Sequence, residues 1–204
     1  MDAGGGVKCE FATHTPAIGD HQARRLLDVP DPKTLKGKRD RAILSTLLYH
    51  ALRREELCGL KVRDIHARRG VPHFRIHGKG GKIRYLPIHA GTLELVTDYL
   101  EAAGHAVEEN GALFRPVRNN LTGVLEKALT TDAVYKLVRG YAESIGVTIG
   151  VHALRATAAT NALDHNADIA KVQEWLGHAN IATTRIYDKR KSRPEDSPTF
   201  KVTY

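Results

Sequence analysis

Between residues 61 and 89 the sequence changes its period. The segment KVRDIHARRGVPHFRIHGKGGKIRYLPIH alternates side chains with period two on both sides of Gly78-Lys79-Gly80-Gly81. That is the pattern of antiparallel strands joined by a glycine-rich turn, and it predicts three short strands. Helical spacing stands on both sides of this block, so the chain is expected to be α+β: mostly α-helical, with a small three-stranded antiparallel sheet. The last segment, SPTFKVTY, alternates again and reads as a C-terminal tail strand.

Start and stop signals divide the helical parts. GDHQARRLLDVP offers Asp20 as a cap and Ala23, Leu26 and Leu27 as an apolar side before Pro30 ends it. PDPKTLKGK reads as a loop. From Arg39, the run RDRAILSTLLYHAL sets Ile43, Leu44, Leu47, Leu48 and Leu52 at helical spacing with few charges, which describes a helix buried on most sides. GTLELVTDYLEAAG and TTDAVYKLVRGYAESIG are amphipathic, the second through Val134, Leu137, Val138, Tyr141 and Ile145. Three further helices are expected over residues 152–163, 168–176 and 183–190, with Gly177 ending the middle one. Residues 1–20, with three consecutive glycines and no apolar period, read as a flexible or extended arm, and residues 21–204 as one domain.

Composition narrows the partner. Lys and Arg number 31 against 23 Asp and Glu, a net charge of +8, which favours a polyanion and nucleic acid first. No apolar run approaches the ~18 residues of a membrane span, and the N-terminus lacks a basic segment followed by an apolar one. A soluble, cytoplasmic protein without membrane contact is the expectation. Cys9 and Cys58 are far apart with no CxxC spacing and receive no function.

Four separated stretches carry chemistry. Arg53 and Glu56 are three apart, on one face if helical, where the carboxylate can hold the guanidinium. Lys79 projects from a glycine turn that lets backbone approach another molecule closely; the spacing is not that of a nucleotide-binding P-loop. His152 and Arg155 are again three apart, pairing a proton carrier with a group that grips two oxygens of a phosphate. The fourth stretch is WLGHANIATTRIYDKRK, with His178 and then Tyr187 ahead of a run of cations. A phenol with a pKa of about 10 is a poor nucleophile at neutral pH. Surrounding cations stabilise both the phenolate and the charge that develops on an attacked phosphodiester. A metal site built on His73 and His77, which share a strand face, lacks any Cys/His ligand box, so no metal is expected.

In sequence order, Arg-x-x-Glu-Leu after a buried helix, Gly-Lys-Gly in a hairpin, His-x-Leu-Arg, and Leu-Gly-His followed by Thr-Thr-x-x-Tyr resemble the catalytic boxes of the tyrosine recombinases, the phage integrase family. The likeness covers residues 31–191, and the last two boxes are the more specific. It implies a site-specific recombinase that cuts and rejoins double-stranded DNA through a 3′-phosphotyrosyl bond, without metal, ATP or other cofactor. Under it Tyr187 attacks, Arg53 and Arg155 clamp the phosphate, Lys79 protonates the leaving 5′-oxygen, His152 and His178 handle protons, and Glu56 supports Arg53. Lys82, Arg84, Arg185, Lys189 and Arg190 are the expected further DNA contacts. A tetramer on paired sites and a monomer without DNA are implied, with the tail packing on its own or a neighbouring subunit. Ala156 and Ala51 stand where histidine and glycine are common in the family, and the separate N-terminal DNA-binding domain of family members is read as absent. A topoisomerase of type IB uses the same chemistry on one duplex, and a DNA-binding regulator with a non-functional site is the alternative from another class.

Overall fold

The computed structural model describes residues 17–118, 124–190 and 199. The expected arm before residue 17 lies outside these, as does the expected tail strand apart from Thr199.

The centre of the fold is α2 (Leu35–His50), whose residues Ala42 to Leu47 are all buried. A helix apolar around its whole circumference has to be enclosed. Here α4 (Ala90–Ala103), α6 (Val151–Asp164) and α1 (Asp20–Asp28) enclose it. Its two mid-helix hydroxyls are satisfied locally, Thr46 by donating to the Ala42 carbonyl (2.7 Å) and Ser45 by pairing with Thr92 of α4 (2.6 Å).

α2 begins four residues before Arg39, inside the stretch that reads as a loop. Thr34 caps it, its hydroxyl accepting from the Gly37 N–H at 3.0 Å. Gly37 is a glycine for a packing reason: a Cβ there would stand 1.8 Å from the Asp31 carbonyl oxygen. α1 likewise starts one residue earlier than expected, with Gly19 at the N-cap and Asp20 in the first turn.

The sheet follows the alternation. β1 (Ile65–Arg68), β2 (Val71–His77) and β3 (Ile83–Pro87) form an antiparallel meander in the order β1-β2-β3. The first turn is Arg69-Gly70, both with positive φ (52° and 77°), the geometry that matches strand twist. In the second hairpin Phe74 faces Leu86 and Ile76 faces Arg84. The first three of these are buried, so the register turns Arg84 towards the core as well. The hairpin tip is closed by Gly78 N–H on the Lys82 carbonyl (2.7 Å), with Gly80 and Gly81 at φ 73° and 75°.

One apolar cluster runs through α2, the sheet, α4, α5 (Thr131–Ser144) and the first turns of α6, with Tyr99, Phe74, Phe114 and Leu154 fully enclosed. A smaller one joins Ala51, Ala156, Ala159, Leu163, Val172, Leu176 and Tyr187, between α6, α7 (Ile169–Leu176) and the residues after α8 (Ala182–Arg185). α8 is a single turn, shorter than the helix expected over 183–190. Among the described residues no helix is long and apolar enough to cross a membrane.

Candidate active site

α2 stops at Ala51, which takes a left-handed conformation (φ 50°, ψ 36°). The chain then reverses into α3 (Arg54–Gly59), with Arg53 at its N-cap rather than within it. Glu56 is the third helical residue, and it reaches back: one carboxylate oxygen accepts the Arg53 N–H (2.9 Å) and the other accepts from the Arg53 guanidinium (2.9 Å). The expected pairing is present, made by a helix cap instead of a helix face.

A second guanidinium shares that carboxylate. Arg84 donates to both Glu56 oxygens, each at 2.8 Å, and through Nε to the Trp175 carbonyl at 3.2 Å. Burial alone would raise the Glu56 carboxyl; the bonds from Arg84 and Arg53 outweigh it and hold the carboxyl below its ordinary range.

Arg155, on α6, is 2% exposed. It donates to the Ala51 carbonyl, to the Leu176 carbonyl (2.6 Å) and to Nε2 of His178 (3.1 Å). Arg53 also approaches the Leu176 carbonyl, at 3.5 Å. Three arginines therefore converge on the last carbonyls of α7, groups that a helix leaves without intrahelical partners and that carry its negative end. Gly177, at φ 65°, ends α7 as expected and leads directly into His178.

The cations act on one another. Burial, then repulsion from Arg53, brings Arg155 down to about 10. Burial and the Arg155 and Arg53 charges depress His178 to about 4, and the same causes lower His152. His178 is consequently neutral at pH 7, and its bonds assign the tautomer: Nε2 accepts from Arg155, so Nδ1 carries the proton and donates it to Thr184 Oγ1 (3.0 Å).

Tyr187 follows α8, its N–H on the Thr184 carbonyl at 3.0 Å. It is 6% exposed, packed in the smaller cluster, and its ring lies 6.2 Å from that of His178 with 26° between the planes. A cleft of about 610 Å³ opens on Tyr187, with Arg53, His152, Arg155 and His178 in its wall. Leu52, Tyr135, Thr183 and Ile186 complete much of the rest. Residues more than 130 positions apart thus line one cavity, built to receive an anion beside a tyrosine.

Other expected site residues are placed differently. The backbone sets Lys79 in the hairpin-tip turn, and its side chain is outside what the structure describes. Lys82, Arg185 and Lys189 are exposed, while Arg190 is engaged with both carboxylate oxygens of Asp188 (2.8 and 2.7 Å). Arg84, expected on the DNA surface, is instead turned inward onto Glu56. Two residues that no spacing singles out also belong to the site: Tyr135 in the cleft wall, and the fully buried Thr184 as the partner of His178. Among the described residues no group of three or more His, Cys, Asp or Glu side chains is placed to share a metal ion. Cys58 is a free, half-buried thiol pushed up to about 11 by burial.

The sequence and the fold both have close counterparts among known proteins. Residues 17–193 match the Phage integrase family. The tyrosine recombinase XerC of Pelobacter propionicus is 36% identical over 168 residues, 81% of this chain and 52% of that protein. The crystal structure of XerA recombinase superposes with a TM-score of 0.69 at 28% identity, covering 84% of this chain and 59% of that one. That of the XerH site-specific recombinase bound to its difH substrate, a pre-cleavage complex, gives 0.67 at 27% identity over 84% and 49%. The chain belongs to the phage integrase family. It spans about half the length of the curated relatives it matches.

Proposed function

We propose that the chain is the catalytic domain of a site-specific DNA recombinase that breaks and rejoins duplex DNA with Tyr187 as nucleophile. The observation that carries this reading is the placement of Tyr187 beside His178, whose Nε2 is held by Arg155, in the cleft that Arg53 and His152 also line. The relative XerH is described as bound to a difH substrate before cleavage, which supports double-stranded DNA as the partner. Assembly as a tetramer on paired sites, from a monomer without DNA, belongs to the same proposal.

In the reaction, the Tyr187 oxygen attacks the scissile phosphorus, a phosphorus–oxygen bond to the tyrosine forms, and the bond to the 5′-oxygen breaks. The guanidiniums of Arg53 and Arg155 hold the non-bridging oxygens and take the charge that grows on them. Lys79, carried on a tip whose glycines allow close approach, delivers a proton to the departing 5′-oxygen. The phenol proton passes to Nε2 of His178, which Arg155 releases as it turns to the phosphate oxygens. Held at about 4 by burial and then by the surrounding cations, His178 is a weak base in the empty site. A phosphate seated between the arginines offsets their charge and raises its basicity at the moment of need. Glu56 keeps Arg53 in register. Lys82, Arg185 and Lys189, all exposed, are the proposed contacts to flanking phosphates, giving a salt-dependent affinity.

On a nicked duplex that traps the covalent state, the protein is expected to form an adduct visible as a slower band in a denaturing gel. Tyr187→Phe is expected to form none; an adduct surviving that change assigns the nucleophile elsewhere. Lys79→Ala is expected to slow cleavage of an ordinary substrate about 100-fold or more and to recover on a substrate with a 5′-bridging sulfur, which leaves without a proton. Absence of that recovery removes Lys79 as the acid.

A further inference from the structure

Arg84 is a basic residue beside the hairpin tip, yet it does not line the cleft. Its side chain is 17% exposed, against 40% for Arg53. Pairing with Ile76 puts it on the inner face of the sheet, and there its guanidinium makes a two-pronged pair with Glu56. Its Nε takes the Trp175 carbonyl, one residue before the carbonyl that Arg155 and Arg53 share. The fit is close: a Cβ on Gly177 would come within 3.3 Å of Arg84 Nη1. One planar group thus ties together β3, the start of α3 and the end of α7. Those elements carry, respectively, the hairpin of Lys79, the pair Arg53–Glu56, and the Leu176 carbonyl and His178 that hold Arg155.

We propose that Arg84 is a positioning residue for DNA cleavage: by seating Glu56 it fixes the direction of Arg53, and by its grip on the end of α7 it sets the Lys79 hairpin against the Arg155–His178 half of the site. The inference rests on the recombinase reading above. Arg84 touches no substrate. A guanidinium is required because only its fork meets both carboxylate oxygens while a third N–H reaches the carbonyl; an ammonium offers a point charge without that geometry. Misplacing a phosphate-binding donor by about 1 Å costs on the order of 100-fold in rate.

The test compares wild type, Arg84→Gln, Arg84→Lys, Glu56→Gln and the double variant Arg84→Gln/Glu56→Gln. Single-turnover cleavage of the nicked suicide duplex is measured at saturating DNA, duplex affinity by anisotropy over a range of salt, and folding by thermal melting. The expected result for Arg84→Gln is a cleavage rate lower by about 100-fold, with a Kd changed less than about twofold and the same salt slope. Arg84→Lys is expected to recover only part of the rate, and Glu56→Gln to cost little more once Arg84 is gone. If Arg84→Gln instead weakens binding, lowers the salt slope by about one and cleaves normally at saturating DNA, Arg84 is a phosphate contact and the proposal is wrong. Full recovery by Arg84→Lys, or additive losses in the double variant, also overturns it. Should Arg84→Gln melt below the assay temperature, the same comparison is read from Arg84→Lys. Failure of wild type itself to form an adduct, with Tyr187→Phe as control, counts against the recombinase reading and not against Arg84.

Discussion

At the N-terminal end of α2 the fully buried carboxylate of Asp40 accepts from Lys36 Nζ (2.9 Å), Arg39 Nε (2.7 Å) and the Tyr141 hydroxyl (2.8 Å). Just past its C-terminal end the carboxylate of Glu56 accepts from Arg53 and Arg84, while Arg155 rests on backbone carbonyls. Each is a carboxylate held among cations, and the balance differs. Asp40 meets its donors head-on, and the one spare guanidinium nitrogen of Arg39 finds the Arg115 carbonyl (3.2 Å). Around Glu56 two guanidiniums share one carboxylate, the third, that of Arg155, has none, and the carbonyls of Ala51, Trp175 and Leu176 supply only partial negative charge. Burial first, and the surplus after it, bring His178 to about 4 and Arg155 to about 10, and a cleft opens on them. A charge network that closes on itself holds a fold together; one left short of an anion, with an opening beside it, is prepared to take an anion in.

The largest expected effect separates the two ends outright. Arg155→Ala removes a preorganised donor and is expected to slow single-turnover cleavage by about 100- to 1,000-fold. Asp40→Ala strands Arg39 and Lys36 beside a lost partner and is expected to cost about 3–5 kcal/mol in urea unfolding, with cleavage by the folded protein close to wild type. If the folded Asp40→Ala protein cleaves as poorly as Arg155→Ala, the two ends are not functionally distinct.

Next in size is a pH effect centred on the C-terminal end, although burial also lowers His105, just past α4. His50, the last residue of α2, is buried and neutral: Nε2 accepts the His89 N–H (3.1 Å), and burial lowers its pKa from 6.5 to about 4. His178 is lowered in the same direction. Because the folded values lie below the unfolded one, the unfolded chain takes up protons first. Stability is therefore full above pH 6.5 and is lost as pH falls towards 4. His50 alone accounts for about 2 kcal/mol between pH 7 and pH 5, and His178, being partly exposed, adds less. Urea unfolding at those two pH values should show the loss, and His50→Gln should flatten it; an unchanged slope in that variant places the acid sensitivity elsewhere.

How much of this could be read in advance differs by kind of interaction. The helices and the meander were legible because burial of a face imposes its period on side chains, as at Ile43, Leu44 and Leu47 or Phe74 and Ile76. The same rule held a signal that went unused: Leu86 faces the core, so Arg84, two positions before it, shares that face. Spacing found Arg53 with Glu56 and His152 with Arg155, although the first pair meets across a helix cap. The early start of α2 was hidden by Pro32 and Gly37, residues that usually break helices; Gly37 is there because Asp31 comes too close for a side chain. The carbonyls of Ala51, Trp175 and Leu176 were illegible, since every residue has one and only the fold aims it.

The smallest expected effect concerns the turn that aims the first of those carbonyls. Ala51 holds φ 50°, where a Cβ crowds the backbone at a cost of roughly 1 kcal/mol that glycine avoids. Its methyl is also fully buried, in the cluster that includes Tyr187 and Ala156. Ala51→Gly gives up that methyl, worth about 0.8 kcal/mol, and frees the unfolded chain by a further ~0.4–1 kcal/mol. Relief and loss nearly cancel, so the stability of Ala51→Gly in urea should lie within about 1 kcal/mol of wild type, with Arg155 still on the residue-51 carbonyl and cleavage unchanged. A loss above about 2 kcal/mol would mean that packing against the tyrosine cluster, more than the backbone turn, holds the C-terminal end of α2 in place. In that case cleavage should fall along with stability, because the contact that positions Tyr187 would be the same one that supports the turn.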